Sequence, residues 1–397
     1  MATTRYALVL DVGTTGTKCF VFSKTPASAN PHVLAKAYRT YPVRSPKRGW
    51  AEQDPERILN ACRRVIKDAV IDSGISPANI ASFGLTNQRE TTVLWDAKTL
   101  KPIYPAIVWE DRRTARSCAA RRPTHASVIR KKTGLTLDAY FSASKIEWIL
   151  THVPAAQMLS DVGRLRFGTI DSWLLANLCT GNPHVTDETN AARTLLFNLR
   201  TRAWDPDLCA LFGVPERILP AILPPNAEFG LLHSDILGRS LPVRAVIGDQ
   251  QSSMAAAIVC ARRSAGATKV TYGTGTFVMQ LLGDRFVIRD GFFTTLVPFK
   301  RGTAYALEAK IAVSGPEVAK RLRRPAELER YLRKLAMNVN SAIKRLPEKP
   351  KELIVDGGIS RSPLLAPIQS EISGIPVRPL PTFDGTALGV AIALLRS

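Results

Sequence analysis

The residues of this chain best suited to chemistry are two glycine-threonine turns and a set of carboxylates placed where apolar strands end. The apolar run 6–10 delivers Asp11 onto Val12-Gly13-Thr14-Thr15-Gly16-Thr17-Lys18, and a second apolar run, 19–22, follows at once. Strand, turn, strand is the simple reading. Backbone N–H groups and threonine hydroxyls in such a turn can surround phosphate oxygens. Asp11 can hold Mg²⁺ through water, and Lys18 can neutralise charge that develops there. The Walker spacing of glycine, four residues, Gly-Lys-Ser/Thr is not present, which excludes a P-loop. Taken alone, the turn also reads as an ordinary hairpin.

A second turn, Thr271-Tyr272-Gly273-Thr274-Gly275-Thr276-Phe277, has the same two readings, and the pair together points to phosphate held between two half-molecules. Asp356-Gly357-Gly358-Ile359-Ser360-Arg361-Ser362 is a third strand-end motif, where missing side chains let a flat base or a ribose approach the backbone. Thr86-Asn87-Gln88-Arg89-Glu90-Thr91 ends the strand 80–85, at the carboxyl side where ligands of open α/β sheets bind. Arg89 and Glu90 can donate to and accept from the hydroxyls of a small polyol, although an exposed loop with a surface ion pair reads the same way. Asp249 and Gln250 follow the strand 243–247, and an Asp in that place can act as general base towards a hydroxyl.

The elements that must position these groups are α/β in character. Strands are expected at 6–10, 19–22, 32–41 and 80–85. Residues Ile58, Ala61, Cys62, Val65, Ile66, Ala69 and Val70 mark one face of a helix within 55–74. The pattern restarts past the middle of the chain, with strands at 243–247 and 268–272 around an alanine-rich helical stretch at 254–260. Helical spacing returns at 328–346, a strand at 353–355 runs into Asp356, and 386–395 reads as a small-residue helix that packs closely. No low-complexity linker separates the halves.

A length of 397 residues suits two domains, and 45% hydrophobic with 22% charged residues excludes disordered and fibrous classes. No apolar run is long enough for a membrane helix, and the first residues lack a signal-peptide pattern, so a cytoplasmic protein is expected. Six scattered cysteines form no Cys-x-x-Cys pair, which suggests neither a zinc knuckle nor a disulfide framework. The net charge of +21 can signal nucleic acid or a field that attracts small anions. Short basic clusters, without a stacking motif, favour the second reading, and no nucleic-acid partner is expected.

With these motifs in view, nearly the whole chain resembles the FGGY carbohydrate kinases, and among them the glycerol-phosphorylating members. The resemblance rests on the Asp11–Lys18 turn, Gly49-Trp50-Ala51-Glu52-Gln53-Asp54-Pro55, Asn87-Gln88-Arg89-Glu90-Thr91, Trp109-Glu110-Asp111-Arg112-Arg113-Thr114, Tyr140-Phe141-Ser142-Ala143-Ser144-Lys145, Thr186-Asp187-Glu188-Thr189-Asn190, Gly248-Asp249-Gln250-Gln251 and the later glycine motifs. It implies a duplicated actin/Hsp70-like (ribonuclease H-like) ATPase fold of two domains, 1–245 and 246–397, with ligands in an interdomain cleft. It implies ATP and Mg²⁺ as cofactors and glycerol as the substrate converted to sn-glycerol 3-phosphate. Arg89, Glu90, Tyr140, Asp249 and Gln250 would bind the glycerol hydroxyls, Trp109 and Phe277 would pack on its carbons, and Asp249 would take the proton. Asp11 would position the metal. Thr14, Thr15, Gly16, Lys18, Gly273 and Thr274 would contact the phosphates, and Gly315, Gly358 and Ser362 would border the adenosine. Association into a homo-oligomer is left open.

The departures from the family pattern fall in the second half. The stretch after Asp249 is much shorter than the stretch before it, a Gly-x-Gly-Ala-Pro-Tyr-Trp segment and a C-terminal extension are missing, Ala309-Lys310 replaces Gly-Ser, Ala319 replaces a Gln and Ser362 an Asn. A minimal glycerol-phosphorylating member of the family is expected. A non-catalytic relative that binds polyol or nucleotide as a regulator, or a kinase for another small polyol or sugar, is the alternative.

Overall fold

The computed structural model describes residues 4–28, 30–261, 266–273, 275–300, 302–313, 317–318, 320–321 and 324–395. The chain divides into two compact units. One comprises Met1–Asp249 with the short stretches Lys300–Thr303 and Val390–Ser397, and the other comprises Gln250–Phe299 with Ala304–Gly389. The sequence expectation put the division at 245/246; this partition falls directly after Asp249 and assigns two later short stretches to the first unit.

In the first unit, apolar runs form β1 (Arg5–Val12), β2 (Gly16–Lys24), β3 (His32–Thr40), β4 (Ile80–Asn87), β5 (Gly230–Leu232) and β6 (Leu241–Gly248). They make one sheet in the order β5-β6-β4-β1-β2-β3. Helix α1 (Pro55–Ser73) lies between β3 and β4 in the chain, and the apolar positions read from the sequence are all buried. Asp54 caps it, accepting from the backbone N–H of Glu56 at 2.9 Å and of Arg57 at 3.3 Å, and Gly74 ends it at φ 65°. The unit also contains α2 (Ser142–His152) and the short α3 (Glu188–Ala191).

The second unit begins with α4 (Asp249–Cys260), whose first residue belongs to the first unit. It continues with β7 (Thr268–Tyr272), β8 (Gly275–Gly283), β9 (Phe293–Phe299), β10 (Gly302–Val313), α5 (Pro325–Ile343), β11 (Leu353–Asp356), β12 (Val377–Pro379) and α6 (Gly385–Leu395), where the start of β10 through Thr303 and the end of α6 from Val390 belong to the first unit. Its sheet runs β9-β10-β8-β7-β11-β12.

Each unit repeats one plan. The first strand pairs antiparallel with the second across a glycine-threonine turn, β1 with β2 and β7 with β8. On its other side it pairs parallel with a later strand, β1 with β4 and β7 with β11. A further parallel strand follows in each, β6 beside β4 and β12 beside β11. This repeated topology, with helices on the sheets, is the duplicated actin/Hsp70-like ATPase arrangement.

Helix α4 begins at Asp249, five residues before the alanine-rich stretch expected to be helical. The polar first turns carried no apolar signal, because Gln250, Gln251, Ser252 and Ser253 are buried through hydrogen bonds instead. Gln251 Nε2, for example, donates to Thr295 Oγ1 at 2.9 Å. Helix α6 packs as its small residues suggest: a Cβ at Gly389 would lie 1.8 Å from the carbonyl oxygen of Ser252. No helix among the described residues is long and apolar enough to cross a membrane.

Candidate active site

In the first unit, Val12, Asn87 and Gly248 sit side by side at the carboxyl ends of β1, β4 and β6. The chain leaving each of these strands carries predicted functional residues: the 13–18 turn, Arg89 with Glu90, and Asp249. Asp11, the last residue but one of β1, is buried.

The 13–16 turn is pinned by segments remote in sequence. Gly13 N–H donates to Gly16 O at 3.0 Å. Tyr41 OH donates to Gly13 O at 2.6 Å, Gln53 Nε2 to Thr14 O at 2.6 Å, and Trp109 Nε1 to Thr14 Oγ1 at 2.8 Å. Gln53 Oε1 in turn accepts from Gln88 Nε2 at 2.8 Å. Only glycine fits at position 16, since a Cβ there would stand 2.5 Å from Arg39 O. Thr15 remains exposed, and Thr14 and Lys18 are half-buried.

Arg89 is buried, and its Nε lies 3.1 Å from Asp249 Oδ1, while the Asp249 side chain keeps 30% of its surface open. The carboxylate is therefore both held by a guanidinium and reachable. Glu90 adopts φ 62°, an uncommon left-handed conformation for a residue with a side chain. Its carbonyl accepts from Ser142 Oγ at 3.0 Å and Thr92 Oγ1 at 3.1 Å, which holds the backbone there. Its Oε1 accepts from Arg193 Nε at 2.6 Å.

Tyr140 meets Trp109 edge to face at 5.6 Å between ring centres. Its N–H donates to Asp138 Oδ1 at 2.9 Å and its carbonyl accepts from Lys145 Nζ at 2.8 Å. Lys145 is fully buried, and burial lowers its ammonium from the usual 10.5 to about 8. The structure thus brings Thr14, Trp109 and Tyr140 into one chain of contacts, and Arg89 and Asp249 into another, at the same sheet end.

Beneath these groups lies a buried network around α3. Asp187 caps the helix through the N–H groups of Thr189 at 2.7 Å and Asn190 at 3.0 Å. Burial, with Asp171 nearby, pushes its carboxyl up to about 7. Asn190 and Asn87 exchange side-chain hydrogen bonds of 3.0 and 3.1 Å, and Thr189 Oγ1 accepts from Gly248 N–H at 2.9 Å. Helix α3 therefore ties the strand end leading to Arg89 and Glu90 to the one leading to Asp249.

The second unit holds the remaining predicted residues. Gly273 N–H donates to Gly275 O at 3.1 Å, and the buried ring of Phe277 lies so close to Gly275 that a Cβ there would meet it at 2.6 Å. Gly357 has φ 92°, and a Cβ on it would lie 2.5 Å from Tyr272 O, so the chain leaving β11 runs hard against the end of β7. A Cβ on Gly358 would meet nothing within 4 Å, which leaves open space over that backbone. Ser362 is half-buried, and its N–H donates to Ile359 O at 3.0 Å. Gln250 is engaged by Lys269, whose Nζ donates to its Oε1 at 3.2 Å. Thr274 and Gly315 lie outside the described residues.

Sequence reasoning missed Arg193, Lys145 and Lys269. Each is a cation in an otherwise buried stretch, and each has no exposed surface. A Lys inside the strand Thr268–Tyr272, and an Arg between Ala192 and Thr194-Leu195-Leu196, were the available signals.

The fold defines an α/β protein of the actin/Hsp70-like class, with polar and charged groups gathered at its strand ends. Residues 6–256 match the N-terminal domain of the FGGY family of carbohydrate kinases, and the chain belongs to that family. It is 41% identical over 318 residues to a glycerol kinase of Pseudothermotoga lettingae and 43% identical over 317 residues to one of Ectopseudomonas mendocina, the matches covering 79% of this chain. The chain spans 62% of the length of these relatives. Among solved structures, a Plasmodium falciparum glycerol kinase with ADP superposes with a TM-score of 0.87 at 26% identity, covering 98% of this chain and 88% of that one. A Rhodospirillum rubrum xylulose kinase gives 0.83 at 19% identity, covering 98% and 89%, a likeness of fold.

Proposed function

We propose that this chain transfers the γ-phosphoryl group of ATP to glycerol, giving ADP and sn-glycerol 3-phosphate. The observation that carries the reading is the Arg89–Asp249 pair at 3.1 Å with the carboxylate partly open, next to a Glu90 held in an uncommon backbone conformation. Such groups suit a small polyol: a guanidinium donates to hydroxyl oxygens and carboxylates accept hydroxyl protons. Arg89, Glu90, Tyr140, Asp249 and Gln250 would bind the hydroxyls, and Trp109 and Phe277 would face the carbons.

Asp249 accepts the proton of the terminal hydroxyl as its oxygen attacks the γ-phosphorus, the bond to the β–γ bridging oxygen breaks, and ADP leaves with that electron pair. Positioning and charge stabilisation supply most of the catalysis in such a transfer. Thr14, Thr15, Gly16, Lys18, Gly273 and Thr274 would hold the phosphates. Gly315, Gly358 and Ser362 would border the adenosine, and the open space over Gly358 supports that use.

Among the described residues there is no group of three or more His, Cys, Asp or Glu that could hold a metal by itself. A Mg²⁺ bound chiefly by nucleotide phosphates, with Asp11 as the protein carboxylate, fits that donor set. When bound, the metal would offset charge on the phosphate oxygens.

The test is a coupled ADP-release assay with glycerol, comparing the wild type with Asp249→Asn. Loss of general base catalysis is expected to lower kcat by about 10²- to 10⁴-fold. A wild type with no glycerol-dependent ADP release, or an Asp249→Asn variant as fast as wild type, refutes the proposal.

A further inference from the structure

We propose that Arg193 is the positioning residue for glycerol recognition, setting Glu90 and Tyr140 at once; this rests on the function proposed above. Arg193 has no exposed surface, and none of its atoms needs to touch substrate for the geometry to matter. Its Nε donates to Glu90 Oε1 at 2.6 Å, across 103 residues of sequence. Its guanidinium carbon lies 5.7 Å from the ring centre of Tyr140 and 5.1 Å from that of Phe141. One planar cation therefore contacts two of the side chains proposed to bind the glycerol hydroxyls.

The geometry explains why an arginine is needed. Glu90 is buried with its backbone at φ 62°, a conformation that persists only when its surroundings over-determine it. The bonds from Ser142 and Thr92 to its carbonyl hold the main chain, and Arg193 holds the carboxylate. With Oε1 taken, Oε2 is the oxygen left to accept from a substrate hydroxyl. Lysine has neither the directed Nε–H nor the flat face that stacks on rings. Arg193 is itself fixed, because it follows α3, which Asp187 caps and which Asn190 ties to Asn87 at the end of β4, three residues before Glu90. The carboxylate and its counter-ion thus share one anchor, an arrangement that preorganises a binding group.

The experiment uses the full chain and the variants Arg193→Met, Arg193→Lys, Glu90→Gln and Arg193→Met/Glu90→Gln. We expect Arg193→Met to raise the KM for glycerol by about tenfold or more, with the KM for ATP within about twofold of wild type. Arg193→Lys restores less than half of that loss on a logarithmic scale. In the Glu90→Gln background the effect of Arg193→Met on glycerol KM shrinks, because the residue acts through Glu90. Arg193→Lys keeps the buried charge and serves where Arg193→Met fails to fold. A fall in melting temperature and kcat with glycerol KM unchanged marks a merely structural role and overturns the proposal, as do additive effects in the double variant. A crystal structure of the folded variant decides the positioning role without reference to turnover: displacement of Glu90 and Tyr140 supports it, and unmoved side chains overturn it. Absence of glycerol-dependent ADP release in the wild type would refute the kinase reading, and the crystallographic comparison would still decide this one.

Discussion

Lys269→Met tests how the second unit holds the start of α4. The Lys269 side chain has no exposed surface, and its Nζ donates to Thr271 Oγ1 at 2.6 Å, Ser253 Oγ at 2.9 Å and Gln250 Oε1 at 3.2 Å. It stands 3.9 Å from Asp356 Oδ1, and Asp356 is buried too. Removing one partner of a buried ion pair costs about 3–5 kcal/mol, because the other charge stays in a poorly solvating site. Here the lower end applies: the pair is loose, and Asp356 keeps hydroxyl donors in Thr271, at 2.7 Å, and Ser253. A loss of about 3 kcal/mol corresponds to a melting temperature lower by roughly 6–12 °C for a unit of this size. Thermal denaturation of the full chain measures it. The paired variant Lys269→Met/Asp356→Asn removes both charges and is expected to regain at least part of the loss, a coupling that a double-mutant cycle reads directly. A Lys269→Met protein melting within about 2 °C of wild type, or strict additivity in the cycle, would refute the reasoning.

Two further predictions concern buried groups. Burial lowers Lys145 from 10.5 to about 8, so between these values the folded protein binds fewer protons than the unfolded chain. The resulting cost is complete below pH 8 and is relieved as pH rises towards 10.5, by at most about 3 kcal/mol. Stability of wild type relative to Lys145→Met, from urea unfolding, should therefore rise across that window; a flat difference would show that the ammonium carries no such cost. Gly389→Ala puts a Cβ where Ser252 O stands 1.8 Å away, so α4 and α6 must separate. We expect a loss of about 3 kcal/mol or more, read as a lower urea midpoint with unchanged slope, and a change under about 0.5 kcal/mol would contradict the close packing.

Much of the fold was legible because strands and amphipathic helices announce themselves locally. The face of α1 could be read from spacing alone, as could both glycine-threonine turns. The first turns of α4 could not, because their polar residues are buried through partners such as Thr295 and Lys269 that no local pattern reveals. Of the candidate site, the strand-end residues Asp11, Arg89, Glu90 and Asp249 were visible as polar groups where apolar runs stop. The residues that hold them were not.

The composition and motifs of this chain by themselves determined its α/β class, its duplicated turns and the residue types placed at its strand ends, since each of these is encoded over a few neighbouring positions. Tertiary structure alone decided that Arg193 meets Glu90, that Asn190 meets Asn87 and that Lys269 stands between Gln250 and Asp356. Those pairings join strand ends and helix starts that are distant in sequence, and a buried charge takes its role from the partner that compensates it rather than from its neighbours along the chain.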